Sequence, residues 1–122
     1  MSAEWIEHNG RRILYLNYSG LSGAQCVDQF PQEDLLLAQV ESGKRVLLML
    51  HTDGIKPPKE LAESGRERTD QYKKILSKMA WVGIGGIVGR SIFTMVNAFS
   101  SRNQFKAKAF ANVLEAKKWL AS

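Results

Sequence analysis

The chain has 122 residues, of which 44% are hydrophobic and 24% charged, and its formal net charge at pH 7 is +5. This length and composition predict one globular domain that folds without disulfides or metal ions, and they exclude a disordered chain. The single cysteine, Cys26, cannot form an intrachain disulfide, which favours a reducing, cytoplasmic location.

Neither a signal peptide nor a transmembrane segment is predicted. Residues Met1 to Glu4 lack the basic and apolar regions of a secretory signal. The longest apolar run, Met79 to Gly89, has eleven residues, whereas a membrane-spanning helix needs about 20.

The charge is distributed unevenly. Residues 1–55 carry four Lys or Arg and seven Asp or Glu, whereas residues 56–122 carry thirteen and five. Such asymmetry can indicate binding to nucleic acid or to an anionic membrane surface. The basic residues are nevertheless spread over several predicted elements and mixed with acidic ones, as on solvated helix faces, and no nucleic-acid motif accompanies them. We therefore do not expect nucleic-acid binding.

The chain opens with a predicted β-hairpin. Strands from Glu4 to His8 and from Arg12 to Tyr18 flank the dipeptide Asn9-Gly10. These two residues readily take positive φ at both positions of a type I′ turn, the commonest connection of this length between antiparallel strands.

A helix is predicted to follow the hairpin. Ser22 and Gln25 have the spacing of a capping box, which marks a helix start. Pro31 should interrupt this helix or restart it as a first-turn residue, with a bend near Phe30-Pro31. The apolar surface of its second half, up to Ser42-Gly43, is assigned to Leu35, Leu36, Leu37, Ala38 and Val40.

The run from Val46 to Leu50 carries the strongest signal in the sequence. Five consecutive apolar residues are too few for a buried helix but are typical of a strand covered on both faces. We predict that this strand lies in the centre of the sheet, with helices above and below. In such sheets ligands bind beyond the carboxyl ends of the strands, which here means His51 to Gly54.

Five further elements are predicted. They are a helix from about Lys59 to Met79, a strand from Ala80 to Val88, a helix from about Arg90 to Ser100, a strand from Phe105 to Phe110, and a final helix capped by Asn112 and Glu115. The order β-β-α-β-α-β-α-β-α predicts an α/β domain with a mixed sheet of about five strands and about four helices.

Segments spread over nearly the whole chain carry a family resemblance. They are Arg12-Ile13-Leu14-Tyr15, Tyr18-Ser19-Gly20, the Val46 to Leu50 strand, Lys73-Lys74 before Ala80-Trp81-Val82-Gly83, Asn97 to Asn103, and Phe110 with Glu115 to Leu120. Together they resemble the bacterial SpoIIAA-like proteins of the STAS (sulfate transporter and anti-sigma-factor antagonist) superfamily, often grouped with lipid-binding Sec14-type domains. The resemblance implies a single STAS-like domain over residues 1–122.

The resemblance also implies a role for the turn after the central strand. The anti-sigma-factor antagonists carry an Asp-Ser-x-Gly-Leu-type loop there, and a kinase phosphorylates its serine. The corresponding loop, His51 to Lys59, contains no serine, and its hydroxyl residue, Thr52, precedes Asp53. What the resemblance implies is therefore an interaction surface at this edge, without the phosphorylated serine.

Three groups of residues are candidates for binding a ligand or partner. They are the turn His51-Thr52-Asp53-Gly54, the helix start Gly89-Arg90-Ser91, and the apolar pair Phe93 and Met95. Backbone N–H groups at a helix start can hold an anion. The apolar pair suits a self-association surface or, with Tyr72, the wall of a lipid pocket.

No catalytic or metal site is predicted. His51 and Asp53 share a turn, but acid–base catalysis also needs a nucleophile or an oriented partner, and spacing identifies neither. Two histidines and one cysteine supply no metal-ligand pattern, and no cofactor is expected.

Two main hypotheses follow for the function. The leading one is a non-enzymatic regulatory or interaction module that binds a protein partner or a second copy of itself as a homodimer. The alternative is a Sec14-like carrier that binds a lipid or small anionic ligand. An enzyme that uses His51 and Asp53 is the least supported reading.

Overall fold

The structure, a computed structural model, describes residues 2–52, 59–83 and 105–122. Its elements in these ranges are β1 (Ser2–His8), β2 (Arg11–Asn17), α1 (Gly23–Ala38), β3 (Val46–His51), α2 (Lys59–Tyr72), β4 (Leu76–Val82), β5 (Lys106–Phe110) and α3 (Val113–Leu120). The predicted mixed α/β class is confirmed. The predicted helix from Arg90 to Ser100 lies outside the described residues. None of the helices in the described ranges has the length and apolar character needed to cross a membrane.

The five strands form one sheet in the order β1-β2-β3-β4-β5. β1 pairs antiparallel with β2, and each later pair is parallel. Asn9 and Gly10 have φ values of 52° and 77°, which are those of the predicted type I′ turn. Since β2 to β5 are parallel, their carboxyl ends meet at one edge of the sheet, which we call the carboxyl rim. Its residues are Asn17, His51, Thr52, Val82 and Phe110.

β3 occupies the middle of the sheet and is covered on both faces, as predicted. Leu48 packs in one core cluster with Leu37 of α1. Met49, which is fully buried, packs in a second cluster with Leu120 of α3 on the other face. Burial of a side chain of this size contributes about 1.5–3 kcal/mol. The two clusters together hold the helices against the sheet.

The capping box at the start of α1 is confirmed. Ser22 Oγ accepts a hydrogen bond from the Gln25 backbone N–H at 3.2 Å, and Gln25 Oε1 accepts one from the Ser22 N–H at 2.9 Å. Pro31 lies inside the helix. The helix ends at Ala38, earlier than the Ser42-Gly43 boundary that we predicted.

The apolar assignment for the second half of α1 needs correction. Leu37 is buried, whereas Leu35 is 69% exposed and Ala38 is also exposed. The buried stripe of α1 consists of Cys26, Gln29, Glu33 and Leu37, which are three or four residues apart, as a helical face requires. Leu35 lies two positions from Leu37 and therefore points away from the sheet.

The boundary between α2 and β4 also differs from the prediction. α2 ends at Tyr72 instead of Met79, and β4 begins at Leu76 instead of Ala80. The parallel register shifts at the start of β4, where Val46 pairs with Leu76 but Leu47 pairs with Lys78. Because of this irregularity, Leu76 and Met79 pack in the same core cluster although they are three residues apart. A spacing of three between buried residues is typical of a helix, which is why the sequence predicted a longer α2.

The final helix begins as predicted. The Asn112 side chain accepts a hydrogen bond from the Glu115 N–H at 3.0 Å, and Glu115 lies in the first turn, where its charge complements the helix dipole. Ala116 and Leu120 face the core.

Two matched leucine substitutions can test which face of α1 is buried against the sheet. Leu37→Ala should lower the free energy of unfolding by about 2–4 kcal/mol, because it leaves a cavity against the sheet. Leu35→Ala should change it by less than about 0.5 kcal/mol, because this side chain is exposed. Urea titration followed by circular dichroism measures both values. Equal losses would contradict the burial pattern of the helix.

Candidate functional site

The carboxyl rim is the part of the predicted site that the structure describes. His51 is the last residue of β3, and Thr52 follows it. The other candidate residues, which lie outside the described ranges, are Asp53, Gly54, Gly89, Arg90, Ser91, Phe93 and Met95. The geometry of the site is therefore that of His51, Thr52 and their neighbours.

His51 is paired with Tyr15 of β2. The Tyr15 hydroxyl lies 2.6 Å from His51 Nδ1, and the ring centroids are 6.0 Å apart. Which of the two groups donates the proton depends on the tautomer of His51. Tyr15 is opposite Met49 in the register, two residues before His51 on the same face of the sheet. The sequence analysis missed Tyr15, since only the parallel register brings it beside His51.

Thr52 is bonded to the end of β4. Its Oγ1 donates a hydrogen bond to the Val82 carbonyl at 3.1 Å, and its backbone N–H donates to the same carbonyl at 2.9 Å. The Thr52 hydroxyl is thus directed at a backbone acceptor and not at a base that would activate it as a nucleophile.

A cluster of polar side chains lies beneath the rim, between the sheet, α1 and α2. At its centre is Glu33, which is 1% exposed. Its carboxylate accepts hydrogen bonds from the Tyr18 hydroxyl at 2.6 Å, from Gln29 Nε2 at 3.0 Å and from Arg68 Nη2 at 3.1 Å. Three donors compensate much of the cost of burying the charge.

The same cluster fastens α2 to α1. Arg68 Nη1 lies 2.9 Å from Asp34 Oδ1, and the Tyr72 hydroxyl donates to that oxygen at 2.6 Å. The Arg68 guanidinium also lies over the Phe30 ring, 4.3 Å from its centroid. We call this set the Glu33 cluster; its members are Tyr18, Gln29, Glu33, Asp34, Arg68 and Tyr72.

Tyr18 connects the Glu33 cluster to the carboxyl rim. Its backbone N–H donates to the His51 carbonyl at 2.8 Å, while its hydroxyl donates to Glu33. The end of β3 and the two helices are therefore joined through one residue. The sequence carries a weak signal for the cluster, because Gln29 and Glu33 fall on the same helical stripe as Cys26 and Leu37.

Burial changes the acidity of the cluster. It raises the pKa of Glu33 above its usual value, against the opposing effects of the hydrogen bonds from Tyr18 and Gln29 and the charge of Arg68. Burial and the neighbouring Glu33 raise the pKa of the Tyr18 hydroxyl, so it remains a donor.

Tyr72, a member of the cluster, and Cys26 of α1 also have raised pKa values. Burial, and then the hydrogen bond to Asp34, raise the pKa of Tyr72 to about 12. Burial and the charge of Glu33 raise the pKa of the Cys26 thiol, which therefore stays protonated at neutral pH. Within the described residues, no three His, Cys, Asp or Glu side chains are grouped as metal ligands would be.

Comparison with known proteins identifies the fold. No protein-family model matches the sequence, and no curated protein matches it. In structure the chain is similar to an uncharacterized protein of the DUF3478 family with a SpoIIAA-like fold from Shewanella loihica PV-4. The TM-score is 0.68 at 15% sequence identity, covering 98% of this chain and 92% of that chain. The chain therefore has a SpoIIAA-like fold, which confirms the fold that the family resemblance implied.

The stability of the Glu33 cluster can be tested at Arg68. Arg68→Ala should lower the free energy of unfolding by about 3 kcal/mol, because it leaves the buried Glu33 carboxylate without its cation. Lys73→Ala is a matched control, since it removes a cation that pairs with Asp70 at 2.9 Å in an exposed position, and it should cost less than about 1 kcal/mol. Chemical denaturation gives both numbers. Equal small losses would show that the cluster does not hold α2.

The raised pKa of Glu33 predicts a pH dependence of stability. The folded state binds the Glu33 proton more tightly than the unfolded chain does, so ionised Glu33 opposes folding. Its contribution should become more favourable as the pH falls from neutral toward the usual glutamate pKa of about 4.3.

Glu33→Gln is the reference for this measurement, because it lacks the titrating group and keeps the side-chain size. The free energy of unfolding of the native chain, relative to that of Glu33→Gln, should rise as the pH falls from neutral toward the usual glutamate pKa of about 4.3. A difference that stays constant or falls over this range would contradict the assignment.

Proposed function

We propose that this protein is a non-enzymatic interaction module that presents its carboxyl rim to a protein partner, either another protein or a second copy of itself as a homodimer. The observation that carries the proposal is the way in which His51 and Thr52 are held. Their polar groups bond to Tyr15 and to the Val82 carbonyl, so the strand end is fixed in one orientation. A surface that is ordered before binding loses less conformational entropy when a partner docks.

The chemistry at the rim supports binding better than catalysis. The Thr52 hydroxyl donates to a carbonyl, and the His51 ring is engaged by a phenol of a neighbouring strand. A nucleophile and its base would instead be bonded to each other and open to a substrate. Asp53 and Gly54, which follow Thr52 in the chain, are proposed to extend this binding surface, and Gly89, Arg90 and Ser91 to contribute to it.

The family resemblance points in the same direction. SpoIIAA-like anti-sigma-factor antagonists act by binding proteins. The present chain shares the SpoIIAA-like fold, and the functional analogy depends on that shared fold. The loop lacks their serine, so the proposed binding does not depend on serine phosphorylation at this position. We place this activity in the cytoplasm.

The Sec14-like carrier receives less support. Tyr72 was expected to line its pocket together with Phe93 and Met95. In the structure the Tyr72 hydroxyl donates to Asp34, and its ring packs beside the core cluster that contains Leu37. Tyr72 is thus part of the contact between α1 and α2.

The proposal can be tested by affinity purification with three baits: the native chain, Asp53→Lys and Glu67→Lys. Both substitutions reverse one negative charge, but Asp53 follows the rim, whereas Glu67 is an exposed residue of α2. A protein partner, or a tagged second copy of this chain, should be retained by the native chain and by Glu67→Lys and lost with Asp53→Lys.

Mass spectrometry should then be applied to both the proteins and the small molecules that elute. Retention of a lipid without any protein would overturn the proposal and favour the carrier. Equal retention of the partner by all three baits would place the binding surface elsewhere. A circular dichroism melt of each bait excludes unfolding as the cause of a loss.

A further inference from the structure

Basic side chains collect at the end of the sheet where the parallel strands begin. Each of β2, β3, β4 and β5 has them within three residues of its amino end. We call this set the amino edge; its residues are Arg11, Arg12, Lys44, Arg45, Lys73, Lys74, Lys78 and Lys106. All four basic residues of segment 1–55 belong to it. Of the thirteen basic residues of segment 56–122, which were expected to be dispersed, Lys73, Lys74, Lys78 and Lys106 also belong to it.

Few of these charges are compensated. Lys44 pairs with Glu41 at 3.4 Å, and Lys73 pairs with Asp70 at 2.9 Å. The register of the hairpin places Glu7 opposite Arg12. Four further cations, Arg11, Arg45, Lys74 and Lys106, form no ion pair with a described carboxylate, whereas Lys78 Nζ lies 3.0 Å from the main-chain oxygen of Ser122. The amino edge therefore carries a surplus of positive charge.

The positive charges around Lys78 lie close to one another. Lys78 and Lys106 are partners in the register of β4 and β5. Burial, followed by the charges of Lys106 and Arg11, lowers the pKa of Lys78 below its usual value. Like charges that perturb one another in this way create a positive potential that attracts an anionic partner.

We propose that the amino edge docks a short acidic segment of a protein partner, whose carboxylates pair with the surplus cations. The docking surface lies at the opposite end of the strands from the carboxyl rim, so the proposal does not depend on what the rim binds. Charge complementarity of this kind accelerates encounter and selects the partner.

The size and borders of the amino edge favour a short segment over a long polyanion. From β2 to β5 the edge spans three strand spacings, about 14 Å, which about four residues of extended peptide cover. The exposed carboxylates Glu7, Glu41 and Asp70 lie beside Arg12, Lys44 and Lys73 of this edge. Nucleic acid or an anionic membrane would bring negative charge against all of these carboxylates, whereas a short peptide contacts only part of the edge.

Two cations of the amino edge already donate to main-chain oxygens. Arg45 Nη2 donates to the Leu76 carbonyl at 2.6 Å. Lys78 Nζ donates to the Trp119 carbonyl and to the main-chain oxygen of Ser122, each at 3.0 Å. These two cations therefore contribute positive charge while some of their N–H donors are already used.

Fluorescence anisotropy with three probes tests the proposal. The probes are a fluorescein-labelled peptide of alternating Glu and Gly, an oligothymidylate with the same label and length, and fluorescent vesicles of phosphatidylserine and phosphatidylcholine. The peptide should bind most tightly, and its affinity should fall as the salt concentration rises to about 0.15 M. No peptide binding at low salt, or tighter binding of either of the other probes, would overturn the proposal.

Matched charge variants locate the site. Arg11→Gln, Lys74→Gln and Lys106→Gln each remove one positive charge from the amino edge and should weaken peptide binding about fivefold. Ala24→Glu lowers the net charge by the same amount at an exposed position in the first turn of α1, which follows the carboxyl end of β2, and it should change the affinity less than about twofold. Equal weakening by all four variants would mean that the net charge alone attracts the peptide and would refute the docking site.

Discussion

The burial of β3 on both faces is the constraint on which the rest of the structure depends. A strand with apolar side chains on both faces is stable only when helices cover both sides of the sheet, and α1 and α3 do so through two separate clusters. Thr52, which follows His51, then lies at the carboxyl end of the strand, and the charged residues before Val46 lie at the amino end. The two candidate binding surfaces are thus consequences of one buried strand.

The Glu33 cluster is a buried polar group in an otherwise apolar interior. A buried carboxylate adds little net stability even when it is paired, but it penalises any arrangement that leaves it without Arg68. The main effect of the cluster is therefore to fix the position of α2 on α1, and its contribution to the stability of the domain is small. Because Tyr18 bonds both to Glu33 and to the His51 carbonyl, the cluster also fixes the position of the end of β3.

The two ends of the strands differ in chemistry. At the carboxyl rim, polar groups bond to one another and to the backbone, and the described residues there carry no Lys or Arg. At the amino edge, cations such as Arg11 and Lys106 outnumber the carboxylates. A SpoIIAA-like fold shared at 15% identity with an uncharacterized protein does not by itself assign a function. The proposals of protein binding therefore depend on the chemistry of these two surfaces and not on the fold.

Local chemistry in the sequence was enough to determine the hairpin turn at Asn9-Gly10, the helix starts at Ser22 and Asn112, and β3, because each depends on neighbours within a few residues. The start of β4, the pairing of Tyr15 with His51 and the gathering of the amino edge were decided only in the folded chain. They depend on the register between parallel strands, and that register is set by packing between segments that are far apart in the sequence.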